Sequence, residues 1–161
     1  MAGKKALSHI DRKGRAKMVD VSAKEPSCRK ALARARLKMK PATLSLIRDG
    51  KIAKGNVFET ARLAGIMAAK QTPRLIPLCH PISITSVDID VRPTGRAGIE
   101  IFARVAARDV TGVEMEALTA ASVAALTVYD MCKSADRGME IRDVVLLEKS
   151  GGRSGTYKRG K

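Results

Sequence analysis

Asp130 and Lys133 place a carboxylate and an ammonium three residues apart near the end of what reads as an apolar helix, so the two can meet on neighbouring faces. A carboxylate beside an amine is a pairing that acid–base catalysis uses. The same spacing more often marks a solvated ion pair worth little energy. Context favours the chemistry: no charged residue occurs from Ala117 to Tyr129, so two charges just beyond that run stand out. A second amine, Lys54, is followed by Gly55 and by Asn56, a helix-capping type, where it could reach an anion at a helix N-terminus or remain a loop lysine in water. Cys79 and His80 lie in Leu78-Cys79-His80-Pro81 behind Ile76-Pro77, a loop stiffened by proline on both sides. Adjacent residues do not make a nucleophilic dyad, which draws on distant segments, and a metal site would need a further ligand cluster. We therefore expect no bound metal and read His80 as a substrate ligand. Glu114 and Glu116 flank Met115 where a long helix should begin, and a carboxylate there can accept the paired N–H groups of a guanine or pterin ring. Thr111 and Glu114 also have capping-box spacing, and one Glu114 rotamer cannot serve both roles. Ser150-Gly151-Gly152-Arg153-Ser154-Gly155 could wrap phosphates with backbone N–H groups, but it lacks the strand, lysine and helix of a P-loop and reads as a Gly-rich tail.

These residues need elements to hold them. From Ala31 to Lys40 apolar and basic residues alternate, strictly so from Ala33, which predicts a half-buried strand. Pro41 ends it and suits the first turn of a short helix to Arg48, stopped by Asp49-Gly50. Asn56 with Glu59 three residues on predicts a second helix, Ala-rich, to Lys70. Residues 82–92 and 99–108 alternate as two strands of a hairpin, a long helix follows from Thr111 to about Ser134, and a last strand covers Val144 to Glu148. The order strand, helices, strand, strand, helix, strand predicts an α+β, ferredoxin-like split βαβ fold: a four-stranded antiparallel sheet with helices packed on one face. The chain is expected to form a single domain over residues 1–161, with mobile ends at about 1–6 and 156–161.

Composition narrows the class. The chain has 161 residues, 45% of them hydrophobic, yet only two Tyr, two Phe and no Trp, so its core must be aliphatic. Three cysteines, an odd number without Cys-x-x-Cys spacing, argue against a disulfide framework and point to the cytoplasm. No apolar stretch is long enough to cross a membrane. The formal charge is +15, with 16 Lys and Arg against 4 Asp and Glu in residues 1–54. Such an excess draws polyanions, either nucleic acid or a small substrate carrying several phosphates. A basic ferredoxin-like RNA-binding module is one alternative, but it would stack bases on sheet aromatics, and the predicted strands offer only Phe102. A metallochaperone would need a Cys-x-x-Cys loop.

Seven strings occur together and in order: Met18-Val-Asp-Val-Ser22, Lys54-Gly55, Thr60-Ala-Arg-Leu-Ala-Gly-Ile66, Leu75-Ile-Pro-Leu-Cys-His-Pro81, Gly112-Val-Glu-Met-Glu-Ala-Leu-Thr119, Tyr129-Asp-Met-Cys-Lys133 and Lys149-Ser-Gly-Gly152. From about Leu7 to Gly155 the chain thereby resembles the molybdenum cofactor biosynthesis protein C family, the cyclic pyranopterin monophosphate synthases. The resemblance implies a ferredoxin-like lyase that converts a cyclic dihydroguanosine triphosphate to cyclic pyranopterin monophosphate plus diphosphate. It implies Lys54, Asp130 and Lys133 as catalytic groups, and Leu78, Cys79, His80, Met115 and Glu116 as lining of the substrate site. Arg29 would bind phosphate and Glu114 would join the ring contacts. No cofactor and no nucleic acid enter, and the assembly it implies is a homohexamer, a trimer of dimers. Lysines near one another would favour a neutral amine on one of them, giving one base and one acid. The family usually has Asp where this chain has Asn56, which still caps but removes a negative charge near Lys54. Because Lys54 and His80 lie in the first half of the chain and Asp130 and Lys133 in the second, a site between subunits could take one half from each.

Overall fold

The computed structural model describes residue Ile10 and residues 13–152 and 155–160. The expected mobile end at residues 1–6 lies outside the described residues, as do Arg153 and Ser154 of the Gly-rich run and Lys161. The elements in order are β1 (Ser27–Lys38), α1 (Pro41–Arg48), α2 (Val57–Leu75), β2 (Ile84–Thr94), β3 (Gly98–Asp109), α3 (Glu114–Cys132), β4 (Glu140–Ser150) and β5 (Tyr157–Lys158). They form one antiparallel sheet in the order β2-β3-β1-β4-β5. Its first four strands carry the ferredoxin-like order. The fifth is the departure from the expected four: Tyr157 pairs with Lys149 and Lys158 with Glu148.

Period two on β1 buries Ala31, Ala33, Ala35 and Leu37 against α3, while Lys30, Arg34 and Arg36 take the other face. Opposite them, β3 buries Ile99, Ile101, Ala103 and Val105 on the same side. α3 meets this surface with Ala117, Ala120, Ala121, Ala124 and Ala125, all fully buried, so backbone rather than bulky side chains sits close to the sheet. α2 packs alongside, and Gly65 makes the close approach: a Cβ there would lie 3.2 Å from the Ala120 carbonyl oxygen and 3.1 Å from Ile89. The helices therefore run antiparallel, with the start of α2 beside the end of α3.

Several boundaries move. β1 begins at Ser27, four residues before the alternation becomes visible, because β3 supplies partners as far as Asp109. α2 continues past Lys70 to Leu75 despite Pro73: proline in the last turn deletes a single N–H, and Ile76 N–H still closes on the Thr72 carbonyl at 2.9 Å. Asn56 caps α2 as expected, its side chain accepting Glu59 N–H at 3.2 Å. The capping box at Thr111 and Glu114 does not form. α3 starts at Glu114 behind Val113, without a side-chain cap, because the Glu114 carboxylate turns instead to Lys149 Nζ at 2.9 Å. A charge-assisted bond outweighs a neutral cap.

Candidate active site

The close packing of α2 on α3 brings Lys54, just ahead of α2, onto the last turn of α3. Lys54 Nζ donates to Asp130 Oδ2 at 2.7 Å and to the Asp130 carbonyl at 3.0 Å, while Lys133 Nζ lies 2.7 Å from Asp130 Oδ1. One carboxylate thus spans two amines. Hydrogen bonds from Lys133 and then Lys54 hold the Asp130 carboxyl down at about 2, and Asp130 in turn raises Lys133. The charged form of Lys133 is the one that its bond to Asp130 favours. Cys132 beside them is buried, and burial pushes its thiol up to about 11, so it is no nucleophile. A cleft of about 320 Å³ lined by Tyr129, Lys133, Ser134 and Arg137 opens next to Lys133.

A second group gathers at the opposite end of α3. Leu78, Cys79, His80, Glu114, Met115 and Glu116 line a cleft of about 400 Å³ that is closed on one side by Val19 and Val21. His80 Nε2 lies 2.7 Å from the Val19 carbonyl oxygen, and since a carbonyl only accepts, Nε2–H donates; in the neutral ring Nδ1 is then left to accept. Glu116 is 1% exposed and neither of its carboxylate oxygens has a partner among the described residues. Burial above all, with Glu114 and Asp109 adding repulsion, pushes the Glu116 carboxyl up to about 7. Burial also raises the Cys79 thiol, helped by Glu116 and Glu114. A paired N–H donor entering here would meet acceptors already stripped of water.

The cleft continues into a cavity of about 630 Å³ through shared walls at Lys24, Thr111, Gly112 and Glu114. Arg29 lies in its wall, 9% exposed, with Nε donating to the Asp109 carbonyl and Nη2 to the Val110 carbonyl, each at 3.1 Å. Gly151 and Gly152 have φ of +100° and +71°, and a side chain on either would run into the Cys28 carbonyl or the Arg29 guanidinium. Lys24, Arg29 and Lys149 with these glycines make an anion-friendly wall.

The structure thus brings Leu78, Cys79, His80, Met115, Glu114, Glu116 and Arg29 into one continuous depression, and Lys54, Asp130 and Lys133 into another cluster. It does not put Lys54 in the same half as His80. Lys24 and Lys149 were not singled out from residue chemistry, and the Gly151-Gly152 turn was weighed as a phosphate wrap but read as a Gly-rich tail; the charge excess of residues 1–54 and the Lys149-Ser-Gly-Gly152 string were the available signals. No group of three or more His, Cys, Asp or Glu able to hold a metal ion occurs among the described residues. Cys28, Cys79 and Cys132 are free thiols, and no described helix is long and apolar enough to cross a membrane.

Residues 18–152 match the MoaC family. A cyclic pyranopterin monophosphate synthase of Thermomicrobium roseum is 56% identical over 154 residues, covering 95% of this chain and 93% of that one. A protein of the same name from Pelotomaculum thermopropionicum is 56% identical over 154 residues, covering 95% and 91%. A third, from Parvibaculum lavamentivorans, is 57% identical over 159 residues, covering 98% and 99%.

Proposed function

Since the chain belongs to the MoaC family, we propose that it is a lyase of molybdenum cofactor biosynthesis, converting a cyclic dihydroguanosine triphosphate to cyclic pyranopterin monophosphate and diphosphate. The observation that carries this reading is the Asp130 carboxylate held between Lys54 and Lys133, a net positive cluster whose ammonium groups can donate to negative charge developing on a substrate. Rearranging a purine into a pterin needs proton transfers at ring nitrogens and oxygens. Closing the cyclic phosphate then needs a substrate hydroxyl to attack the innermost phosphorus while diphosphate leaves. Asp130, held near a pKa of about 2, stays ionised and orients both amines, and Lys133 serves as the acid. Glu116 and Glu114 accept ring N–H groups, His80 offers Nδ1, and Arg29 with Lys149 and Lys24 takes the phosphates.

One substrate molecule must meet both clusters. Glu116 and Asp130 are fourteen residues apart on the same helix, or about 21 Å at 1.5 Å per residue. A cyclised nucleotide does not bridge that span, so the complete site takes the start of α3 from one copy and Lys54, Asp130 and Lys133 from another. Leu63 and Met67 on α2 and Leu126 on α3 are 60%, 57% and 55% exposed and offer an apolar surface for such a neighbour. The assembly we propose, as the family resemblance implies, is a homohexamer built as a trimer of dimers and working in the cytoplasm. RNA binding gains no support from the sheet, where Arg92 covers the Phe102 ring at 4.5 Å. Incubating the purified protein with the cyclised triphosphate should release diphosphate and the cyclic phosphate in equal amounts. Folded protein that leaves the triphosphate unchanged would reject the assignment.

A further inference from the structure

Asp136, in the turn after α3, is 2% exposed, and the chemistry proposed above makes no use of it. Its Oδ2 accepts the Lys40 backbone N–H at 2.8 Å and the Thr43 hydroxyl at 3.3 Å. Its Oδ1 accepts Gly138 N–H at 3.1 Å and lies 3.9 Å from Lys40 Nζ. α1 begins without a side-chain cap of its own, because its N-cap residue is Lys40, which can only donate, and Pro41 follows. Asp136 supplies from the far part of the chain the negative group that the positive end of this helix lacks locally. The Lys40 N–H, foremost among these partners, holds the Asp136 carboxyl below its ordinary range.

Residues 40–54 run from this capped turn through α1 to Lys54, and residues 130–138 run from Asp130 through Lys133 to Asp136. Hydrogen bonds join the two segments at each end, through Asp136 with Lys40 and Thr43, and through Lys54 with Asp130. The geometry points to Asp136 as a positioning residue: it fixes α1 to the turn after α3, so that Lys54 and Lys133 stay seated on the two oxygens of Asp130. It touches no reacting atom, and the inference rests on the functional reading only for its effect on turnover.

Asp136→Asn preserves the shape of the side chain but removes its charge and one acceptor. In protein carrying 15N in its lysine side chains, ion-paired ammonium groups give their own NMR signals, and single lysine substitutions assign them. The expected result is a displaced or broadened Lys54 signal, with kcat lowered about ten- to a hundredfold by misplacement of the cluster and KM nearly unchanged. Ile101→Val, in the fully buried sheet core, should lower the melting temperature yet leave the Lys54 signal in place, separating positioning from general loosening. If Asp136→Asn does not fold, Thr43→Val, which deletes one of the contacts, decides in the same way. A Lys54 signal identical to that of the unmodified protein in whichever of the two variants is folded overturns the proposal, whatever the activity. A displaced signal in proteins that all lack turnover upholds the positioning role and rejects the functional reading instead.

Discussion

Exposed ion pairs stabilise proteins little, so a stabilising role poorly explains why Asp130 spends both oxygens on Lys54 and Lys133, with side chains 56%, 48% and 54% exposed. A site held ready for an anionic substrate explains it better. Lys133→Ala should lower turnover about 10²- to 10⁴-fold with the melting temperature almost unchanged; a folded variant more than half active would remove Lys133 from the mechanism. Glu116 makes a different prediction. Its folded pKa of about 7 lies above the ordinary 4.5, so the folded state binds that proton more tightly. Its contribution is fully present below about pH 4.5 and is lost as pH rises through about 7. The loss amounts to at most about 3 kcal/mol. Glu116→Gln should flatten this slope in denaturant melts at about pH 5 and about pH 8; an equal slope in both proteins would place the burial cost elsewhere. The Asp130 and Lys133 pair was legible because only three residues separate them at the end of one helix. The bond between Glu114 and Lys149 was not, since 35 residues separate them and only the fold brings them together.

Among the elements, the alternation of β1 and the Asn56 cap of α2 were readable because each is a local pattern. β5 was not, because Tyr157 and Lys158 form a strand only by pairing with β4. Nor was the true start of α3, where the fate of Glu114 depends on a lysine from a distant strand. Gly65 is legible in hindsight as a small residue on an apolar helix, but its reason lies in the Ala120 carbonyl 3.2 Å from a Cβ placed there. Gly65→Ala should push α2 from α3 and cost about 1–3 kcal/mol of stability, read by denaturant unfolding. An unchanged or higher stability would show that the helices can separate freely, and with it that the Lys54 contact to Asp130 does not depend on their close approach.

At the scale of the whole molecule, the charge of +15 includes Lys24, Arg29 and Lys149, which line the cavity that the proposed function gives to the phosphates. The cleft at the start of α3 and the lysine cluster at its end lie at opposite ends of that helix, which is why the proposed site draws on two copies. The sequence suggested a site divided between Lys54 with His80 and Asp130 with Lys133; within one chain Lys54 is seated on Asp130, so the proposed division keeps those two together. Mixing inactive variants under subunit exchange tests the account most directly. Lys133→Ala combined with Glu116→Ala should recover about a quarter of the activity, because random pairing makes half the dimers mixed and each mixed dimer keeps one intact site of two. Lys133→Ala combined with Lys54→Ala should recover none, as both changes fall in the same half. Recovery by the second mixture and not the first would contradict the account.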